Sequence, residues 1–208
     1  MGHQQGVTRN AQTGRMALKT ITKVAVLSAI SVVVMLFEIP LPFAPGFYKV
    51  DLSEVVVMIG ALAMGIVPGM FIEFIKILLN LLINGTITAG VGELANFVIG
   101  CSYIIPAALI YRHRKTFKTA VVGMSVGTVS ITIVGALMNL FVLLPAYSAL
   151  AGMPLDALVG MGTAVNPAIT DVTTLVLFAT APFNLLKGIV SSVLVLLLYK
   201  RLSPILHR

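Results

Sequence analysis

The chain has 208 residues, of which 58% are hydrophobic and only 10% charged, with a formal net charge of +7. Soluble domains carry about 25% charged residues, so this balance excludes a water-soluble globule and indicates an integral membrane protein. The Lys and Arg residues are bunched between apolar runs rather than spread over a surface, which argues for membrane topology and against nucleic-acid binding.

Residues 1–20 form a polar, basic tail with Arg9, Arg15 and Lys19, and Lys23 stands at the start of the first apolar run at 21–37. That run resembles the core of a signal peptide. It ends, however, in Phe37-Glu38-Ile39-Pro40 without a small-residue cleavage site, and further apolar segments follow, so it reads as a retained span. Gly6 stands where a myristoylation signal needs Ser or Thr. Pro40, Pro42, Pro45 and Gly46 then forbid a continuous helix.

Segments 52–66 and 69–83 follow, separated only by Val67-Pro68. Both fall short of the roughly 20 residues that span a bilayer, so tilt or shielding by neighbours is expected. Segments 91–111 and 119–144 are longer. Residues 145–170, rich in Gly, Pro and Ala, read as a long connection, and a last segment lies within 171–199, with Pro182 starting or kinking its main helix. The expected fold is an all-α membrane protein with six transmembrane helices over 21–202. With both termini cytoplasmic, eleven of the fourteen Lys and Arg residues fall at cytoplasmic ends, as the positive-inside rule requires.

In this topology Glu93, Asn96, Asn139, Asn184 and Lys187 all lie within roughly 10 Å of the outer ends of their segments, at 1.5 Å per residue. A charge at mid-bilayer costs about 2.5–3.5 kcal/mol on the insertion scale, so such groups face a partner or a cavity. Five at one depth indicate a polar site open to the outside. Asn184 and Lys187, three residues apart, share a helix face. Competing readings are that Lys187 snorkels to the headgroups and that Asn139 makes only an interhelical hydrogen bond.

Glu73 and Lys76, also at i,i+3, are read as a structural ion pair away from this pocket. Asp51 and Glu54 are explained by a helix dipole, and Asp171 by a helix start. Ala25 and Ala29 place two small residues one turn apart, a pattern that permits close approach of another helix or internal packing.

Cys101 lies in an apolar run and reads as a packing residue, with no disulfide and no metal cluster expected. No phosphate-binding loop, nucleophile elbow or zinc motif occurs, and His3, His113 and His207 fall in tails or a basic loop. The chain is therefore not read as an enzyme, and no cofactor is expected. Active uptake would need an energised partner.

The segment Pro182-Phe183-Asn184-Leu185-Leu186-Lys187-Gly188 resembles the sixth-helix signature of the substrate-binding (S) components of energy-coupling-factor (ECF) vitamin transporters, in their riboflavin-specific branch. Lys49-Val50-Asp51-Leu52-Ser53, Gly92-Glu93-Leu94-Ala95-Asn96-Phe97, Met138-Asn139-Leu140-Phe141 and Pro145-Ala146-Tyr147 support the likeness, which covers about residues 19–204. The resemblance implies a six-helix bundle in the bacterial cytoplasmic membrane. It implies riboflavin capture from outside and assembly with a transmembrane coupling subunit and two ATP-binding subunits. It assigns substrate contact to Asn184, Lys187 and Asn139, and docking on the coupling subunit to Ala25 and Ala29. Glu93 and Asn96 would hold ribityl hydroxyls or brace the pocket, and the loop around 41–47, with Leu41 and Phe43, would act as a lid. Alternatives are FMN as the captured solute, an S component for thiamine, biotin or a queuosine precursor, and a solitary facilitator without ATPase partners or an assembly subunit with no ligand of its own.

Overall fold

The computed structural model describes the backbone of residues 2–42, 44–86 and 88–206, and the side chains of 18–42, 44–86, 88–199 and 201. The chain is mostly helical: α1 (Gly2–Met35), α2 (Ser53–Met64), α3 (Ile66–Asn84), α4 (Val91–His113), α5 (Phe117–Met138), α6 (Leu144–Leu150), α7 (Leu155–Thr163), α8 (Val172–Leu175) and α9 (Ala181–Leu206). Two π-helical turns, Asn139–Leu143 and Val176–Thr180, join α5 to α6 and α8 to α9. The proline-rich stretch folds into a minimal antiparallel ladder of β1 (Ile39–Pro40) with β2 (Lys49–Val50).

Among the described residues, five apolar helical stretches are long enough to cross a membrane: Leu18–Met35, Ile66–Asn84, Val91–His113, Phe117–Leu150 and Val172–Tyr199. The sixth expected span is α2. At 12 residues it is about 18 Å long. Its burial explains how so short a helix is accommodated: Val57, Met58 and Ala61 are almost completely enclosed by its neighbours. Gly65, at φ +104°, makes the one-residue turn into α3, a conformation that a side chain would strain.

Helices α4 and α5 form the most intimate pair because glycine lets their backbones touch. A Cβ on Gly123 or Gly127 would stand 2.7 Å from the carbonyl oxygens of Ala107 and Tyr103. A hydroxyl relay then ties in α9: Tyr103 Oη lies 2.9 Å from Ser192 Oγ, which lies 3.0 Å from Thr128 Oγ1.

The bundle has two unlike ends. At one, Tyr111, Phe117 and Tyr199 stack beside the exposed Arg112, Arg114, Lys118 and Arg201. At the other, Ala44, Tyr48 and Val50 pack against Leu144, Leu158, Ile169, Leu175, Val176 and Phe183, forming a second apolar cluster above a large cavity. The expected loop at 145–170 is therefore partly helical: α6 continues the α5 run and α7 packs into this cap.

Candidate functional site

The cavity has a volume of about 920 Å³ and is lined by residues of α1–α4, α6, α7 and α9, of the π-helical turn at 139–143 and of the connecting segments. That is within the range typical of small-molecule sites. Glu93, Asn96, Asn139, Asn184 and Lys187 all line it, so the five polar residues singled out by depth converge on one space.

Each asparagine is oriented by its own helix. Asn139 Nδ2 donates to the Gly135 carbonyl at 2.8 Å, and Asn184 Nδ2 donates to the Thr180 carbonyl at 2.9 Å, both one turn back. A carbonyl can only accept, so these bonds fix which way each amide faces. Tyr48 Oη then donates to Asn139 Oδ1 at 3.0 Å and lies 2.5 Å from Thr180 Oγ1. Burial raises the Tyr48 phenol well above its ordinary range, so it remains a neutral donor. Asn139 and Thr180 both belong to the π-helical turns, whose extra residue breaks the regular side-chain register.

Gly135 makes room for this arrangement. A Cβ there would meet Asn184 Cγ, Nδ2 and Oδ1 at 2.6–2.8 Å. Four aromatic rings complete one wall: Phe47 lies 4.5 Å from Tyr48 and 6.5 Å from Tyr147, and Tyr48 lies 5.0 Å from Phe183, centroid to centroid.

Another part of the lining is ionic. Lys187 Nζ is 3.1 Å from Asp51 Oδ2 and 3.8 Å from Glu54 Oε1, while Lys76 Nζ is 3.0 Å from Glu54 Oε1 and 2.7 Å from Glu73 Oε2. Buried charges persist only when paired in this manner. Burial alone would raise the Asp51 carboxyl. The Lys187 and Lys76 ammonium groups and the hydrogen bonds from Ser53 outweigh it and hold the carboxyl below the usual carboxylate range. Glu54 Oε2 and Glu73 Oε1 are buried without hydrogen-bond partners.

Residues 19–199 match the family model for the substrate-specific component of ECF transporters. The chain belongs to this family. As an ECF S component it serves transport rather than catalysis. It is 32% identical over 190 residues to the riboflavin transporter RibU of Staphylococcus aureus, covering 91% of this chain and 93% of that protein. It is also 32% identical over 192 residues to the riboflavin transporter FmnP of Bacillus subtilis, covering 91% and 94%. A solved structure of the S component of a bacterial ECF transporter superposes with a TM-score of 0.70 at 32% identity, covering 92% of this chain and 99% of the other.

Several expectations for this S component need revision. Glu73 and Lys76 do form an ion pair, but they line the cavity instead of standing apart from it, because Lys76 reaches across to Glu54. Asp51 and Glu54 do more than offset a helix dipole, since they hold Lys187. Leu41 is half-buried against the apolar cap rather than among the cavity-lining residues, and Phe43 lies outside the described residues. Ala25 and Ala29 are both exposed on α1, so internal packing does not explain them. Tyr48 and Thr180 gave no signal in the sequence. The two carboxylates at 51 and 54 could have been found from their i,i+3 spacing and from the need of the intramembrane Lys187 for an acidic partner.

Proposed function

We propose that this S component binds riboflavin in the cavity, with Asn139, Asn184 and Lys187 on the polar edge of the isoalloxazine ring. The observation that carries this reading is the fixed polarity of the two asparagines beside an aromatic wall. Their back-bonds leave one N–H of each amide and the Asn184 oxygen for a ligand, and Lys187 adds a cationic donor. The flavin edge alternates carbonyl acceptors with the N3–H donor, and the flat, apolar body of the isoalloxazine suits the rings of Phe47, Tyr48, Tyr147 and Phe183. The two riboflavin-transporter relatives support the same ligand.

The wider reading follows the family. The chain crosses the bacterial cytoplasmic membrane six times with both termini inside, α2 being the shielded short span. It captures the vitamin from outside and docks through the Ala25–Ala29 face on a coupling subunit carrying two ATP-binding subunits. The exposure of both alanines supports that docking role.

A second reading, a cationic vitamin such as thiamine, draws on the carboxylates around the cavity, although most of these are already paired with lysine. The deciding experiment is the visible spectrum of the purified, detergent-solubilised protein, followed by titration of the vitamin-free form with riboflavin. Flavin absorption bands or stoichiometric fluorescence quenching support the proposal. A folded, colourless protein that leaves riboflavin fluorescence unchanged overturns it.

A further inference from the structure

The ion network beside the cavity does not balance. Three carboxylates, those of Asp51, Glu54 and Glu73, are linked to two ammonium groups, those of Lys76 and Lys187. All three acids and Lys76 are buried, Glu73 completely. With every group ionised, the network holds an excess negative charge inside the bundle, where an uncompensated charge is costly. Glu54 and Glu73 crowd each other most, since Glu54 Oε1 and Glu73 Oε2 both lie within 3.0 Å of the same Lys76 Nζ. Their other oxygens, Glu54 Oε2 and Glu73 Oε1, accept no hydrogen bond. Glu73 Oε1 is pressed against α4 at Gly100, where a Cβ would clash with it. The three carboxylates do not converge as ligands of one metal ion would. Two carboxylates facing one ammonium disfavour double ionisation, and a proton on either relieves them both.

Resting on the riboflavin reading above, we propose that the Glu54–Glu73 pair is a second binding site, for one proton, which the chain takes up from water as the vitamin fills the cavity. Both glutamates line that cavity, so the water of the empty site lies beside them. A bound flavin displaces this water and lowers the local dielectric, which raises the cost of the excess charge. It also draws on Lys187, the ammonium shared by the proposed flavin edge and by Glu54, 3.8 Å away. Both changes favour the protonated pair. Around Glu73 stand Lys76 on its own helix, Glu54 on α2 with Asp51 just before it, Lys187 on α9, and Glu93, Cys101 and Tyr103 on α4. The remaining neighbour, α1, has no ionisable residue between 24 and 37, and no histidine is among the described lining residues.

The test is the pH dependence of riboflavin affinity for the full-length, detergent-purified chain, read by flavin fluorescence between about pH 6 and 8. A free glutamate, with a pKa of about 4.3, is already ionised throughout that range. Proton uptake makes the bound state the more protonated one. Affinity should therefore fall as pH rises, by up to about tenfold per pH unit for one proton. Glu73→Gln, which keeps the shape but takes no proton, should flatten this profile whatever it does to the affinity itself. Because that substitution can disturb folding, the unmodified chain is also titrated calorimetrically at one pH in two buffers of different ionisation enthalpy. The difference in heat counts protons, and net uptake approaching one per vitamin is expected. No net uptake, net release, or a pH slope that survives Glu54→Gln and Glu73→Gln alike overturns the proton site and leaves the riboflavin reading standing. A folded chain that binds riboflavin at no pH overturns both.

Discussion

Asn184 and Lys187 occupy one helical turn yet answer to different constraints, and their substitutions should differ accordingly. Asn184→Ala removes an oriented amide, the kind of contact worth about 1–3 kcal/mol when its partner is left unsatisfied. Riboflavin affinity should fall roughly tenfold to a hundredfold by that measure, as read by fluorescence titration. Lys187→Ala should abolish tight binding and also lower the melting temperature, because Asp51 loses its nearest ammonium partner. Asp51 sets an acid limit as well. Its folded-state carboxyl lies below the unfolded value, so its stabilisation is present above about pH 4 and is lost as pH falls toward the folded value. Melting temperature measured against pH should drop over that acidic window, and Asp51→Asn should flatten the drop.

At the level of elements, the apolar runs predicted the long helices closely, since a lipid-facing helix must be apolar along its length. The run at 119–144 extends through α6 to Leu150, and 91–111 became Val91–His113. Neither π-helical turn was legible, because the extra residue at 139–143 or 176–180 leaves no mark on hydropathy. Those turns place Asn139 and Thr180 beside Tyr48, and Gly135 lets Asn184 approach α5. Gly135→Ala should therefore impair riboflavin binding more than its distance from any charge suggests, since the new methyl displaces the Asn184 amide. Circular dichroism should show the helices intact while the titration shows weakened binding. Gly123→Leu should act differently, separating α4 from α5 at the Ala107 carbonyl and lowering thermal stability directly.

For the whole molecule, the ion network acts as a cross-brace. It joins the start of α2 to α3 through Lys76 and to α9 through Lys187, so the cavity wall depends on three helices at once. The exposed Ala25–Ala29 face lies on α1, and neither residue lines the cavity. Replacing both alanines with Leu should leave riboflavin binding intact while abolishing co-purification with the coupling subunit. Loss of vitamin binding in that variant would instead overturn a docking role confined to α1.

The sequence by itself determined that the chain is a helical membrane protein, and the depth of five polar residues located one polar site. Both follow from the cost of placing polar groups in hydrocarbon, a constraint each residue carries independently of its neighbours. Tertiary structure alone decided which groups meet. Asp51 lies 136 positions from Lys187, and Tyr48 lies 91 from Asn139 and 132 from Thr180. Pairings over such separations are set by how helices cross and where a π-helical turn shifts the register. One-dimensional periodicity cannot specify either, because each depends on packing between segments rather than on composition within one.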